Sequence, residues 1–137
     1  MPADDMKATV VDIFTALAAD EIDAALSHMA DDVSWFSHGM MPQGLSGQRL
    51  GKEAAGKYLE KLSRAFVDRK RDIAIQHIYR EGNVVICETR VRGRLRNGGV
   101  YENDYGYVFD FLNGRVAQVR EYFDSLIAAE AFAGLLW

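Results

Sequence analysis

Apolar residues recur near the start of the chain at Val10, Ile13, Phe14 and Leu17, the i, i+3, i+4, i+7 spacing that forms one buried stripe on a helix. Asp4 or Asp5 can cap that helix. Asp20, with Asp23 three residues on, offers a second cap ahead of Ile22, Leu26 and Met29, so a short second helix is expected. After Asp31-Asp32, the segment Val33-Ser34-Trp35-Phe36-Ser37-His38 reads as a strand. Gly39 through Gly51, with Pro42 and four glycines, reads as a loop long enough to border a site. Ala55, Tyr58, Leu59, Leu62 and Phe66 share one face of a third helix, and Lys57, Glu60, Lys61 and Arg64 occupy the other, so this helix should lie against a sheet.

From Asp72 the period changes to two, with Ile73, Ile75, His77 and Tyr79 alternating with Ala74, Gln76 and Ile78 until Gly82-Asn83 turns the chain. Three further strands, Val84–Arg96, Val100–Leu112 and Arg115–Phe123, are separated by Asn97-Gly98-Gly99 and Asn113-Gly114. Those turn sequences supply the positive φ that tight hairpins need, so an antiparallel meander is expected. Ser125–Phe132 reads as a short helix or turn before the apolar tail Leu135-Leu136-Trp137. With no repeat, linker or low-complexity segment, one domain over residues 1–137 is the economical reading.

Two of the strands are about a dozen residues long, and such strands twist and curl a sheet. The expected fold is α+β: a cone-shaped, strongly curved mixed or antiparallel sheet wrapped around a long helix, with two further N-terminal helices. The wide end of such a cone would be an apolar pocket for a small organic molecule.

Composition narrows the partners. At 137 residues the chain is long enough to bury a core without metal or disulfide help. Its net charge of −4 gives no broad basic surface for nucleic acid. The start lacks the pattern of a secretory signal, and no apolar run approaches the roughly 18–20 residues of a membrane span, so a cytoplasmic protein without membrane contact is expected. The single Cys87 lies in a β-branched apolar stretch and reads as a small core residue. His28, His38 and His77 have no partners at metal-ligand spacing, so neither a metal nor, in the absence of any phosphate loop or dinucleotide fingerprint, a nucleotide cofactor is implied.

The order of elements, Ala30-Asp31-Asp32-Val33-Ser34-Trp35 entering the first strand, and Phe109–Arg120 followed by Glu121-Tyr122-Phe123-Asp124 resemble the SnoaL-like branch of the nuclear-transport-factor-2-like, or ketosteroid-isomerase-like, superfamily. That scaffold carries isomerases, polyketide cyclases, epoxide hydrolases, dehydratases and proteins with no chemistry, so the residues have to choose among them. The positions that hold base and oxyanion donors in ketosteroid isomerases fall on Ser37, Ile13 and Tyr107, of which only Tyr107 can donate a hydrogen bond to an oxyanion. The Asp-Arg-Asp set of limonene-epoxide hydrolases is half present: Arg90 and Asp124 match, Arg92 replaces the first acid, and Trp35 and Ser37 replace the water-holding tyrosine and asparagine. The SnoaL cyclases imply a single positioned aspartate that removes a proton next to a carbonyl, with no metal or cofactor, and Asp124 is the match. The resemblance also implies a homodimer.

Two readings stay open. In one, Asp124 is the base, Tyr107 an oxyanion donor, and Arg90 or Arg92 orients the acid, within walls formed by Phe14, Trp35, Ser37, His38, Tyr58, Phe109 and Tyr122. In the other, Asp124 caps the last helix and the protein binds a ligand or is purely structural. Glu88, Arg90, Arg92 and Arg94 share one side of their strand while Cys87, Thr89, Val91 and Leu95 form the better core side, which sets periodicity against the family match unless a bulge intervenes.

Overall fold

The computed structural model describes residues 3–39 and 45–136. Helix α1 (Ala3–Ala18) and the one-turn α2 (Ile22–Leu26) precede strand β1 (Met29–Ser37), and β2 (Gly47–Leu50) leads into α3 (Lys52–Ser63). Strands β3 (Asp72–Glu81), β4 (Val84–Arg94), β5 (Val100–Leu112) and β6 (Arg115–Phe123) follow, then α4 (Ser125–Phe132). The meander and the last helix form where their turn signals place them. Pro42 and Gly44 of the expected loop, and Trp137 of the tail, lie outside the described residues.

Several local expectations give way to tertiary contacts. Helix α1 begins at Ala3, so Asp5 stands inside its first turn. Asp20 does not cap α2: it adopts φ 61° and pairs with Arg69 at 2.7 Å, and the residue at the cap position is Glu21, whose side chain makes no capping bond. Met29 belongs to β1 rather than to a second helix, because β1 runs parallel to β6 from Met29↔Val116 onward. Within the expected loop, Gly47–Leu50 pairs antiparallel with Ser34–Ser37 and forms an edge strand too short to show a period. In β3 the register shifts between Ile75 and His77, which carries the half-buried set from Ile73 and Ile75 to Ile78.

The expected cone is not what forms. The six strands make one open mixed sheet in the order β2-β1-β6-β5-β4-β3, with β2 and β3 as separate edges, and it is neither closed nor strongly curled. Strand length had suggested the curl, yet β4 and β5 pair without a register shift from Val84↔Asp110 to Arg94↔Val100. Bending a sheet sharply takes bulges, and the longest hairpin has none. Helix α1 packs on β3 and β4, α3 on β1 and β2, and α4 on β5.

Between helices and sheet lies the core, where Phe14 meets Tyr107 and Phe109 edge-on at centroid distances of 4.9 and 5.7 Å. The opposite face of the sheet is charged. Gly93 in β4 marks the tightest approach: a Cβ there would lie 2.6 Å from Cδ1 of Phe66 and 3.0 Å from Cβ of Arg71. Gly93→Ala should therefore cost about 1–3 kcal/mol by overpacking, read as a lower urea midpoint at unchanged slope.

Candidate functional site

Three neighbouring strands bring one acid, one hydroxyl and one phenol together. Parallel pairing of β1 with β6 sets Ser37 opposite Glu121, and antiparallel pairing of β5 with β6 sets Tyr107 opposite the same Glu121. Trp35, two residues before Ser37, shares its face of β1, and Tyr58 reaches down from α3. The result is a carboxyl group only 1 % exposed. Trp35 Nε1 donates to Glu121 Oε1 at 3.0 Å, and the hydroxyls of Ser37 and Tyr58 donate to the same oxygen. Arg49 lies 3.7 Å over the Tyr58 ring and donates to Ser37 Oγ at 2.9 Å.

A second polar group continues along β5. The hydroxyls of Tyr101 and Tyr105 are 2.6 Å apart, and Asn103 Nδ2 donates to Tyr101 at 2.8 Å and to the Asp124 carbonyl at 3.0 Å. Burial first, and then the charge of Glu121, hold the Tyr58 and Tyr107 phenols well above their ordinary range. Burial likewise pushes Tyr105 well up and Tyr101 up to about 12. These tyrosines are therefore neutral hydrogen-bond donors at physiological pH. Arg71, just before β3, is 8 % exposed, and it donates through Nη1 to the Leu17 carbonyl and to Ser63 Oγ.

Arg71, Glu121, Tyr101, Tyr105 and Tyr107 share a cavity with Leu17, Trp35, Leu59, Leu62, Phe66, Ile73 and Val91. Its free volume is about 10 Å³, room for about one water molecule. The interior is thus an apolar chamber almost filled by its own side chains. Arg71 and Ile73 also line a groove of about 930 Å³ on the outside, between the end of α1 and the start of β3.

Of the residues singled out in the sequence, Phe14, Trp35, Ser37, Tyr58, Tyr107 and Phe109 are brought together in this interior. Arg90 and Arg92 are not. They lie on the charged face, where Arg90 forms a fork with Asp104 at 2.8 and 3.2 Å and Arg92 pairs with Glu102 at 3.3 Å. Strand parity decides this: no bulge separates them from Cys87, Thr89 and Val91, which point inward. Asp124 caps α4, accepting from the amides of Leu126 and Ile127 at 3.1 and 3.2 Å. It shares with Arg90 a depression of about 510 Å³, but on the surface and outside the chamber. His38 and Tyr122 pack together at 5.2 Å and are exposed, so neither reaches the chamber. Cys87 is buried, and burial followed by the charge of Glu88 pushes its thiol up to about 12.

Glu121, Arg71, Tyr101, Asn103 and Tyr105 did not emerge as site residues from sequence. One signal was present for Glu121: it occupies an apolar position in the alternation Val119, Glu121, Phe123. For Arg71 there was none, since it precedes its strand in a run of charged residues.

Two variants probe the surroundings. Asp124→Ala should lower stability by about 0.5–2 kcal/mol through loss of the cap, measured by urea unfolding. Thr89 is fully buried, and its hydroxyl has no hydrogen-bond partner. Thr89→Val removes that orphan and is expected to raise stability by about 1 kcal/mol in the same measurement.

The open mixed sheet with helices on one face belongs to the nuclear-transport-factor-2-like class of α+β proteins. The chain belongs to the SnoaL-like domain family, whose model matches residues 10–119. It is similar in structure to a nuclear-transport-factor-2-like protein from Burkholderia xenovorans, with 24% identity, TM-score 0.76, and 96% of this chain and 98% of that one covered. A proposed isomerase from Bacillus subtilis gives 19% identity and TM-score 0.84 over 98% and 97% of the two chains. A Catenulispora acidiphila protein with a ketosteroid-isomerase-like fold, solved in complex with trimethylamine, gives 16% identity and TM-score 0.75 over 93% and 92%. No curated protein matches the chain. Among the described residues no group of three His, Cys, Asp or Glu side chains could hold a metal ion, and no helix is long and apolar enough to cross a membrane.

Proposed function

We propose that the buried chamber is a small-molecule site and that Glu121, in its ionised form, takes a proton from carbon next to a ligand carbonyl. The observation that carries this reading is the convergence of Trp35, Ser37 and Tyr58 on Oε1 of Glu121, which fixes the carboxyl beside the Tyr107 phenol. As the Glu121 carboxylate takes the proton, the C–H pair moves into the new C=C bond and the carbonyl pair onto oxygen. Tyr107, a neutral donor opposite Glu121, meets that charge, and return of the proton to a different carbon completes an isomerisation. Asp124, engaged with two helix amides, is left out of this step. The small free volume favours a second reading, ligand binding without a reaction, because a substrate must first displace the side chains that fill the chamber.

Deuterium uptake next to the carbonyl of small ketones and keto acids in D2O, followed by proton NMR, tests both. The wild type should accelerate uptake, Glu121→Gln should lose roughly 100-fold or more of it, and Asp124→Asn should keep it. Equal rates for wild type and Glu121→Gln would remove Glu121 from the chemistry. No acceleration by the wild type across the panel would favour the non-catalytic reading.

A further inference from the structure

Packing alone gives no sufficient account of Arg71. Its side chain is buried, yet no carboxyl group among the described residues forms an ion pair with it. The contacts it does make explain its position. Its backbone amide donates to the Ala18 carbonyl at 3.2 Å, and Nη1 donates to the Leu17 carbonyl at 3.4 Å and to Ser63 at 3.2 Å. A cation at the carbonyl end of α1 suits the helix dipole. Those bonds use Nη1 alone, while Nε and Nη2, the edge that matches a carboxylate with two parallel bonds, make none among the described residues. The Phe66 ring lies 5.4 Å from Cζ, but a buried cation with no carboxylate beside it is costly, and an apolar side chain of similar length would cap nothing but would pack at lower cost.

Location supplies the second observation. Arg71 belongs to two walls at once, that of the inner chamber, shared with Glu121, and that of the large outer groove. The groove also carries Lys70 and Arg94, neither of them ion-paired among the described residues, and Arg92, against Asp68 and Asp72. Its excess of positive charge favours approach of an anion. On its rim Asp68 and Arg69 hold φ of 55° and 58°, a left-handed pair of non-glycine residues that delivers the chain into Arg71.

We propose that Arg71 anchors the carboxylate of a small apolar acid, which arrives by the outer groove and turns its apolar body toward the chamber. This rests on the reading of the chamber as a ligand site and adds the charge of the ligand to it. Leu17, Leu59, Leu62 and Val91 suit the body, and the planar guanidinium suits a carboxylate better than a neutral carbonyl.

The probes are benzoate and its uncharged counterpart benzamide, titrated into the intact protein at fixed ionic strength by calorimetry and by NMR of the arginine Nε–H groups. Benzoate is expected to bind at least about tenfold more tightly than benzamide and to shift the Arg71 Nε–H signal. Arg71→Met should abolish that preference while the protein stays folded, with an unfolding midpoint equal to or above that of the wild type. Arg71→Lys, which keeps the charge and loses the fork, should retain part of it. Glu121→Gln should bind benzoate at least as well as the wild type, so a failure of proton transfer and a failure of anion anchoring are read separately. Equal affinities for the two probes, no binding of benzoate, or an undiminished preference in Arg71→Met would each overturn the proposal.

Discussion

Glu121→Ala should lower the free energy of unfolding by about 3–5 kcal/mol, the largest effect expected from a single truncation in this chamber. The loss has two parts. The removed side chain is fully buried and leaves a void beside a cavity of about 10 Å³, and three donors, from Trp35, Ser37 and Tyr58, lose their shared acceptor. Hydroxyls can turn toward other acceptors, whereas the indole N–H of Trp35 is fixed by its ring and stays unpaired. Glu121→Gln keeps an acceptor and nearly the same volume, so its cost should be well under half that of the alanine variant. Urea unfolding of the two variants measures the difference, and an equal loss in both would show that volume, not hydrogen bonding, dominates.

A second large effect is expected in alkali. The phenols of Tyr58, Tyr101, Tyr105 and Tyr107 are all held above their ordinary value, with burial the leading cause for each. Between the unfolded value near 10 and the higher folded values, the folded chain keeps protons that the unfolded chain has lost. Stability from these groups is therefore complete below about pH 10 and falls as pH rises above it. Tyr101 alone, pushed up to about 12, accounts for about 3 kcal/mol across that window. Urea midpoints should hold steady between about pH 7 and 9 and drop steeply beyond about pH 10, with the ultraviolet signal of the four buried phenolates appearing together with loss of the fold. In Glu121→Gln the Tyr58 and Tyr107 phenols lose a neighbouring charge that raises them, so the gap between folded and unfolded values narrows and the fall in stability above about pH 10 should be shallower than in the wild type. Independent titration of the four phenols in a folded protein would contradict the burial argument.

Much of the architecture follows from local pattern. Turn sequences at Gly82-Asn83, Asn97-Gly98-Gly99 and Asn113-Gly114 delimit β3 to β6, because positive φ is available there and almost nowhere between. Alternation in β4 also assigned Cys87, Thr89 and Val91 to the inner face, and that parity outweighed the family match for Arg90 and Arg92. β2 escaped notice, since four residues show no period until β1 lies beside them.

By itself, then, the sequence determined the long strands, the main helices and the turns between them, and the alternation that divides β4 into two faces, because those depend on neighbours two to four residues apart. Its SnoaL-like family was legible in the same local segments. Only the tertiary structure decided that the sheet stays open, that Glu121 rather than Asp124 stands among the interior tyrosines, and that Arg71 joins groove to chamber. Each of those depends on register between strands and on contacts such as Ser37 with Glu121 and Arg71 with Leu17, spanning dozens of residues, and side-chain burial at such distances is set by how the elements pack.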